Sequence, residues 1–385
     1  MKTSQTVTGL KARVDAMKIL HVFKTYYPHS FGGVEQVIAT LANGLASNGV
    51  QSEVFSLSRK ERLTSEPFQD HFRSTGITNF EVSSSPFSIT SIPLFRNLVS
   101  EHDLIHYHYP FPFGDVLSLL LARNRPSIVT YHADIFADKS LLAIYRPVEL
   151  AFLSNVDRIV ATSPAYAESS PNLRKFRDKV RVVELGLDEA VYRESLREAN
   201  LREWQSRLPP DFMLFIGVLR HYKGLETLME AARGFGGCLV LAGDGPYRST
   251  IEELKSKYEL RNVITIGEFS ETDKVSLIRL ARAVVLPSTL RSEAFGLALL
   301  EASMMGKPMI STELGTGTTH VNAHLETGIV VEPGNADMLR DAMVRLMNDV
   351  ELANRFGDAA RDRYENLFQA DRMRERYLGL YQELV

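Results

Sequence analysis

At 385 residues the chain exceeds what one hydrophobic core usually supports, so it is expected to divide into two domains. Its 44% hydrophobic and 24% charged residues describe a globular protein, and a formal net charge of -3 excludes a broad nucleic-acid surface. The single Cys238 excludes an internal disulfide and fits a reducing compartment, and no run approaches the roughly 18 apolar residues of a membrane-spanning helix.

Residues 1–16 are polar and lack the apolar centre of a secretory signal, so a flexible leader and a cytoplasmic location are expected, with Met17 placed to act as a start. Lys18 to Phe23 is an apolar strand, and the apolar positions 34, 37, 38, 41 and 45 mark one face of a helix. Between them Gly32-Gly33 follows a loop carrying Tyr26, Tyr27, Pro28 and His29. That spacing is not the Gly-x-Gly-x-x-Gly dinucleotide fingerprint. Gly33 fits either a plain tight turn or a place where a ligand approaches the backbone.

Ser52 to Leu57 returns as a strand, whereas residues 60–100, rich in Ser and broken by Pro67, Pro86 and Pro93, show no clear period. Strands resume at Asp103 to Tyr107 and Ser127 to Tyr131, and His132 stands at the end of the second. There an imidazole can donate to a substrate hydroxyl or simply bond the backbone. His106, His108 and His132 match no zinc spacing, so no metal is predicted, and the other histidines, including His21, are assigned to packing or loops. The basic stretch 173–181 is either a solvated helix end or a contact for an anionic membrane face or substrate carrier.

The charged stretch from Glu189 to Pro210 is the best domain boundary, and the same alternation of strand and helix begins again at Phe212. Gly217 to Gly224 places Arg220 and Lys223 on a strand-to-helix loop, where cations can neutralise a diphosphate or remain solvated. Gly243-Asp244-Gly245-Pro246 is a further strand-end turn. Neither a Walker A loop nor a Gly-x-Ser-x-Gly elbow occurs, which argues against ATP hydrolysis and against a serine hydrolase.

The most informative segment lies between the apolar runs 281–286 and 309–311. Gly296 stands where a helix should begin, so the unpaired N–H groups of residues 295 to 298 point toward the crevice at the carboxyl end of a strand and can hold a phosphate. Glu293 and Glu301 flank that point and suit hydroxyl recognition at the two ends of a ligand. A first-turn acid and a solvated helix residue are the plainer alternatives.

With those residues in view, the chain resembles the retaining GT-B glycosyltransferases of family 4 over essentially all of 17–385. The most specific feature is Glu293-x7-Glu301, supported by Gly32-Gly33, His132, Gly217 to Gly224 and Gly243 to Pro246. The resemblance implies an α/β fold of two Rossmann-like, doubly wound domains facing across a deep cleft. It implies an acceptor-side domain at 17–195, a nucleotide-sugar domain at 196–365 and a C-terminal helix at 366–385 packing back on the first domain.

It further implies that Glu293 binds the donor hexose, that Phe295, Gly296 and Leu297 serve sugar and diphosphate, and that Glu301 accepts from ribose. Lys223 would bind the diphosphate, His132 would lie at the sugar's primary hydroxyl and the reaction centre, Gly33 beside phosphate or acceptor, and Gly243 beside the nucleotide. Where the family commonly has Gly-Arg-Leu this chain has Gly217-Val218-Leu219, so Arg220 is expected to supply the cation. Leu219 to Gly224, with Gly315 to Thr318, looks most like bacterial enzymes that use GDP-mannose or a related GDP-sugar to build surface polysaccharides.

The expected partners are the nucleotide sugar and a glycan or lipid-linked oligosaccharide, with peripheral contact at the inner membrane and no nucleic acid; no cofactor or metal is expected. A UDP-sugar enzyme, a GT-B epimerase or phosphorylase, and a non-enzymatic two-lobed sugar-binding protein are the alternatives.

Overall fold

The computed structural model describes residues 16–83, 85–135 and 139–385, so residues 1–15 of the expected leader lie outside the described residues. It has two lobes, each built on one large sheet. The first sheet has eight strands in the spatial order Val180–Val182, Arg158–Ala161, Ser127–Tyr131, Leu104–Tyr109, Met17–Val22, Val50–Ser58, His71–Ile77 and Leu63–Phe68. All neighbours are parallel except the last pair.

The second sheet has six parallel strands, in the order Val263–Gly267, Cys238–Ala242, Phe212–Ile216, Ala283–Leu286, Met309–Thr312 and Gly328–Val331. Helices cover its two faces, so the central strands Phe212–Ile216 and Ala283–Leu286 are buried at every position. That is why they read in the sequence as unbroken apolar runs and not as alternating ones.

In each sheet the order reverses beside its first strand. Met17–Val22 lies between Leu104–Tyr109 and Val50–Ser58, and Phe212–Ile216 lies between Ala283–Leu286 and Cys238–Ala242. Connections leave such neighbours in opposite directions and open a crevice at their carboxyl ends. The loops carrying Gly33, Arg220, Lys223 and Glu293 start there, and the one carrying His132 starts at the same end of the first sheet, two strands from Met17–Val22.

Residues 60–100 hold an antiparallel pair, a short hairpin of Phe80–Val82 with Ser85–Phe87, and the helix Ile92–Glu101. Leu63–Phe68 is largely exposed and both hairpin strands have three residues, too little buried apolar surface to leave a periodic signature. The expected boundary region contains two helices, Glu189–Ser195 and Glu198–Arg207. The second is held to the second lobe by Trp204 Nε1 and Asn200 Nδ2, which donate to Asp273 over 2.7 and 2.9 Å.

The helix Val350–Leu367 lies on the second lobe, where Ser303 Oγ donates to Ala360 O over 2.6 Å. The last helix, Ala370–Leu384, reaches the first lobe. Its Arg374 donates to Thr40 O over 3.1 Å, and Tyr381 and Tyr377 bond His106 and Thr130, each over 2.7 Å. Among the described residues no helix is long and apolar enough to cross a membrane.

Candidate active site between the lobes

A cleft of about 1900 Å³ separates the lobes, lined by Gly33 and His132 from the first and by Arg220, Lys223, Glu293, Phe295, Gly296, Leu297 and Glu301 from the second. Gly224 shapes the second wall. Its φ is +68°, and a Cβ there would stand 1.9 Å from Pro287 O, so only glycine lets this turn close on the loop after the strand Ala283–Leu286. The closure brings Lys223 against Glu293 in an ion pair whose side chains are 13% and 10% exposed.

Ser288 Oγ donates to the same carboxylate over 3.1 Å. Burial alone would lower the Lys223 pKa, but the Glu293 carboxylate beside it raises it above the usual lysine value. Arg220 is exposed at the mouth of the cleft, three residues before Lys223.

Gly296, at φ +79°, caps the helix Leu297–Met304; its carbonyl accepts from Leu299 N and Leu300 N, so the N–H groups of Leu297 and Ala298, ahead of those bonds, are the ones without a helical acceptor. Glu301 lies one turn further in. Its buried carboxylate accepts from Lys274 Nζ over 2.7 Å and from Tyr192 OH over 2.8 Å, and Gln36 of the first lobe donates to that tyrosine oxygen over 2.5 Å. Burial opposes the Lys274 charge, yet Glu301 and Glu271 hold its pKa above the ordinary lysine value. Lys274 and Tyr192 escape sequence reading because no spacing relates them to Glu301.

On the first lobe Gly33 meets the second directly, since a Cβ there would stand 2.5 Å from Leu297 Cδ1. The preceding loop is organised by buried Glu35, which accepts from Thr25 Oγ1 over 2.8 Å and from Ser30 Oγ over 2.5 Å. Lys24, at the end of the first strand, also lines the cleft. Burial lowers its pKa, Glu35 works against that and Arg220 across the cleft adds to it. His132 is 7% exposed, its Nε2 lies 3.0 Å from His108 Nδ1, and burial lowers its pKa to about 3. Two residues on, Asp134 faces Arg291 of the second lobe at 3.5 Å.

Gly243 stands apart from this group. It lies behind the loop at 217, where a Cβ would stand 2.0 Å from Gly217 O, and does not line the cleft. His21 is fully buried, as a packing residue is, and has a polar partner as well. It joins His106 and His108 in a buried cluster whose ligand nitrogens lie within 4.8 Å of one another. Both nitrogens of His106 are occupied by Tyr381 and Thr130, and both of His108 by His21 and His132. An ion there would have to break those bonds.

Residues 197–363 match the family described as Glycosyl transferases group 1, and residues 31–191 match Glycosyltransferase Family 4. The chain is 40% identical to O-antigen chain mannosyltransferase C of Escherichia coli, over 96% of this chain and 99% of that one. It is 42% identical to the D-rhamnosyltransferase WbpZ of Pseudomonas aeruginosa, over 92% and 93% of the two chains. Among solved structures, sucrose-phosphate synthase of Thermosynechococcus elongatus superposes with a TM-score of 0.78 at 22% identity, covering 96% of this chain and 99% of that one.

Proposed function

Because this chain belongs to the GT-B glycosyltransferases of family 4 and group 1, closely related to bacterial O-antigen mannosyltransferases, we propose that it transfers a mannose-configured hexose from a GDP-sugar to a hydroxyl of a glycan or lipid-linked oligosaccharide. The anomeric configuration is retained. The reading is supported above all by the convergence on one cleft of Glu293, Lys223, the helix start at Gly296, Glu301 and His132. Relatives named for mannose and D-rhamnose transfer support the sugar, since D-rhamnose is 6-deoxymannose.

On this reading residues 196–365 hold the donor, 17–195 the acceptor, and 366–385 brace the two. The diphosphate lies at the first turn of Leu297–Met304, met by Lys223 and Arg220. Glu293 accepts from the hexose hydroxyls and Glu301 from the ribose, each exchanging part of its present bonding for the ligand. As the anomeric bond breaks, charge grows on the diphosphate and the sugar becomes oxocarbenium-like. Fixed N–H groups and cations already in place stabilise that charge without reorganising. They supply what a metal would, so none is required.

The acceptor's proton passes to the leaving phosphate oxygen on the same face of the sugar, with no need of the two catalytic carboxylates of a retaining glycosidase. Arg174, Lys175, Arg177 and Arg181 are exposed, which suits peripheral contact with an anionic membrane carrying the acceptor.

The test is mass spectrometry and anomeric NMR of products from GDP-mannose, GDP-D-rhamnose and UDP-sugars with a lipid-linked oligosaccharide. A melting-temperature panel of UDP-, GDP-, ADP- and dTDP-sugars runs in parallel. A retained glycosidic product and a stabilising shift with a GDP-sugar are expected. Product from a UDP-sugar alone would reassign the donor, and epimerised donor without acceptor or release by free phosphate would replace transfer.

A further inference from the structure

The strands Met17–Val22, Leu104–Tyr109 and Ser127–Tyr131 lie side by side, with His21 opposite His106 and His108 opposite Thr130. Residues in register point to the same side of a sheet, and so do residues two apart on one strand. One face of three adjacent strands therefore carries His21, His106, His108 and Thr130. His132, two residues past Thr130, continues it to the cleft.

Three of these imidazoles form a continuous row. His21 Nδ1 lies 3.1 Å from His108 Nε2, and His108 Nδ1 lies 3.0 Å from His132 Nε2. At the inner end, His21 Nε2 is buried and has no hydrogen-bond partner. At the outer end His132 lines the cleft, and its Nδ1 has no protein partner among the described residues. Burial holds the row neutral, lowering His21 and His132 to about 3 and His108 well below its ordinary value.

A neutral imidazole carries one N–H and one bare nitrogen, so the row has two orientations. In one, every N–H points inward and ends as the His21 Nε2–H, a fully buried donor with nothing to accept it. In the other, His21 donates to His108, His108 donates to His132, and His132 presents Nδ1–H to the cleft, leaving only a bare nitrogen buried at His21. Orphaned buried N–H groups are rarer than unsatisfied acceptors, and the second orientation also places its terminal donor where a ligand can accept.

We propose that His108 and His21 are positioning residues which lock His132 as the Nδ1–H tautomer, so that His132 offers the substrate a neutral hydrogen-bond donor and not a base. The role rests on the reading of the cleft as the transfer site, but the tautomer does not. With its Nε2 occupied by the row, His132 has no free lone pair for the acceptor's proton, which must leave by another route. The leaving phosphate oxygen serves that purpose.

The decisive measurement is long-range proton–nitrogen NMR of the ligand-free protein labelled with ¹⁵N-histidine, with His132 assigned through His132→Gln. The expected spectrum has protonated Nδ1 and bare Nε2 at His132 and His108, in the wild type and without substrate. His132 found as the Nε2–H tautomer would overturn the row whatever the enzyme transfers. His108→Leu should scramble the His132 tautomer and lower kcat on the order of 10-fold to 100-fold with KM held within about twofold, as loss of an orienting partner does elsewhere. His108→Gln, which keeps a donor and an acceptor, should recover most of that loss.

Scrambled tautomers with an unchanged kcat would overturn the positioning role. Full-rate transfer by His132→Gln would instead remove the reading of the cleft, and the wild-type spectrum would still judge the row.

Discussion

The two lobes share one architecture but face the cleft with opposite chemistry. The second presents charge, with Lys223 paired to Glu293, Lys274 to Glu301, and Arg220 at the mouth. The first presents a buried row of imidazoles ending at His132, a loop tied to Glu35 and the carboxylates of Asp70, Asp134 and Asp188, with Lys24 as a depressed cation. With the function proposed above, the same Rossmann-like frame supplies a cationic grip for the activated half of a substrate and a wall of imidazoles and carboxylates for the other. On the proposed reading that division keeps the leaving diphosphate's counter-charges on one side, so the reaction centre between the lobes is polarised before the donor arrives.

Acid should separate the lobes most sharply. His21 and His132 are lowered to about 3, His71 to about 4, and His106 and His108 well below the usual value, all by burial in the first lobe. Unfolded histidines bind protons as pH falls through about 6.5, whereas these remain neutral, so the unfolded state binds more protons. The first lobe's stability is therefore fully present above that pH and falls below it, by about 1.4 kcal/mol per pH unit for each histidine.

The second lobe's Asp273 works in a lower window. Burial would raise its pKa, but bonds from Asn200, Ser270 and Trp204 hold it well below the usual value, so its contribution persists until pH falls below the ordinary carboxylate range. Trp204 is the single tryptophan, and its fluorescence reports the second lobe. Amide exchange in Leu104–Tyr109 should accelerate near pH 5 while that fluorescence holds. Simultaneous loss of both would break the distinction.

Glu293→Gln should lower kcat/KM on the order of 10²-fold or more, because it replaces the charged acceptor proposed for the sugar hydroxyls by a weaker amide oxygen and removes the charge that holds Lys223. The melting temperature measured alongside separates the two effects, since an unpaired buried cation costs about 3–5 kcal/mol. Glu301→Gln should act mainly on binding, raising KM about tenfold with kcat nearly unchanged, since the ribose contact proposed for it is equal in ground and transition states. A kcat loss as large as that of Glu293→Gln would place Glu301 at the chemistry instead.

How far these features were legible follows from how local they are. Glu293, Gly296 and Glu301 lie on one strand, loop and helix, so a buried apolar run and a helical start sufficed to find them. The spacing of two places His106 and His108 on one face of a strand, but their partnership with His21 depends on Met17–Val22 lying beside Leu104–Tyr109. That pairing joins residues 85 apart and has no local signal, since strand order is set by how the helices pack. Lys274 and Tyr192 were missed for the same reason, and Gly243 was placed at the ligand because a strand-end Asp-Gly turn looks alike whether it faces the cleft or, as here, backs the loop at Gly217.

The smallest effect concerns how the lobes are held. Arg291 donates to Leu314 O and Gly315 O over 2.9 and 3.0 Å on its own lobe, and across the cleft to Ser169 Oγ over 3.0 Å, near Asp134 at 3.5 Å. Its partly exposed side chain makes the ion pair worth about 0–1 kcal/mol. Arg291→Gln should therefore shift the melting temperature by only a few degrees and leave the chemistry intact. Its consequence would appear in the relation between the lobes: a weaker tether lowers the population of the arrangement in which Arg291 bridges them, and a ligand that binds only that arrangement is held less tightly by the same fraction. Small-angle scattering should show a slightly more open protein, and KM for donor and acceptor should rise together. A rise for the donor alone would mean that Arg291 acts within the second lobe and does not couple it to the first.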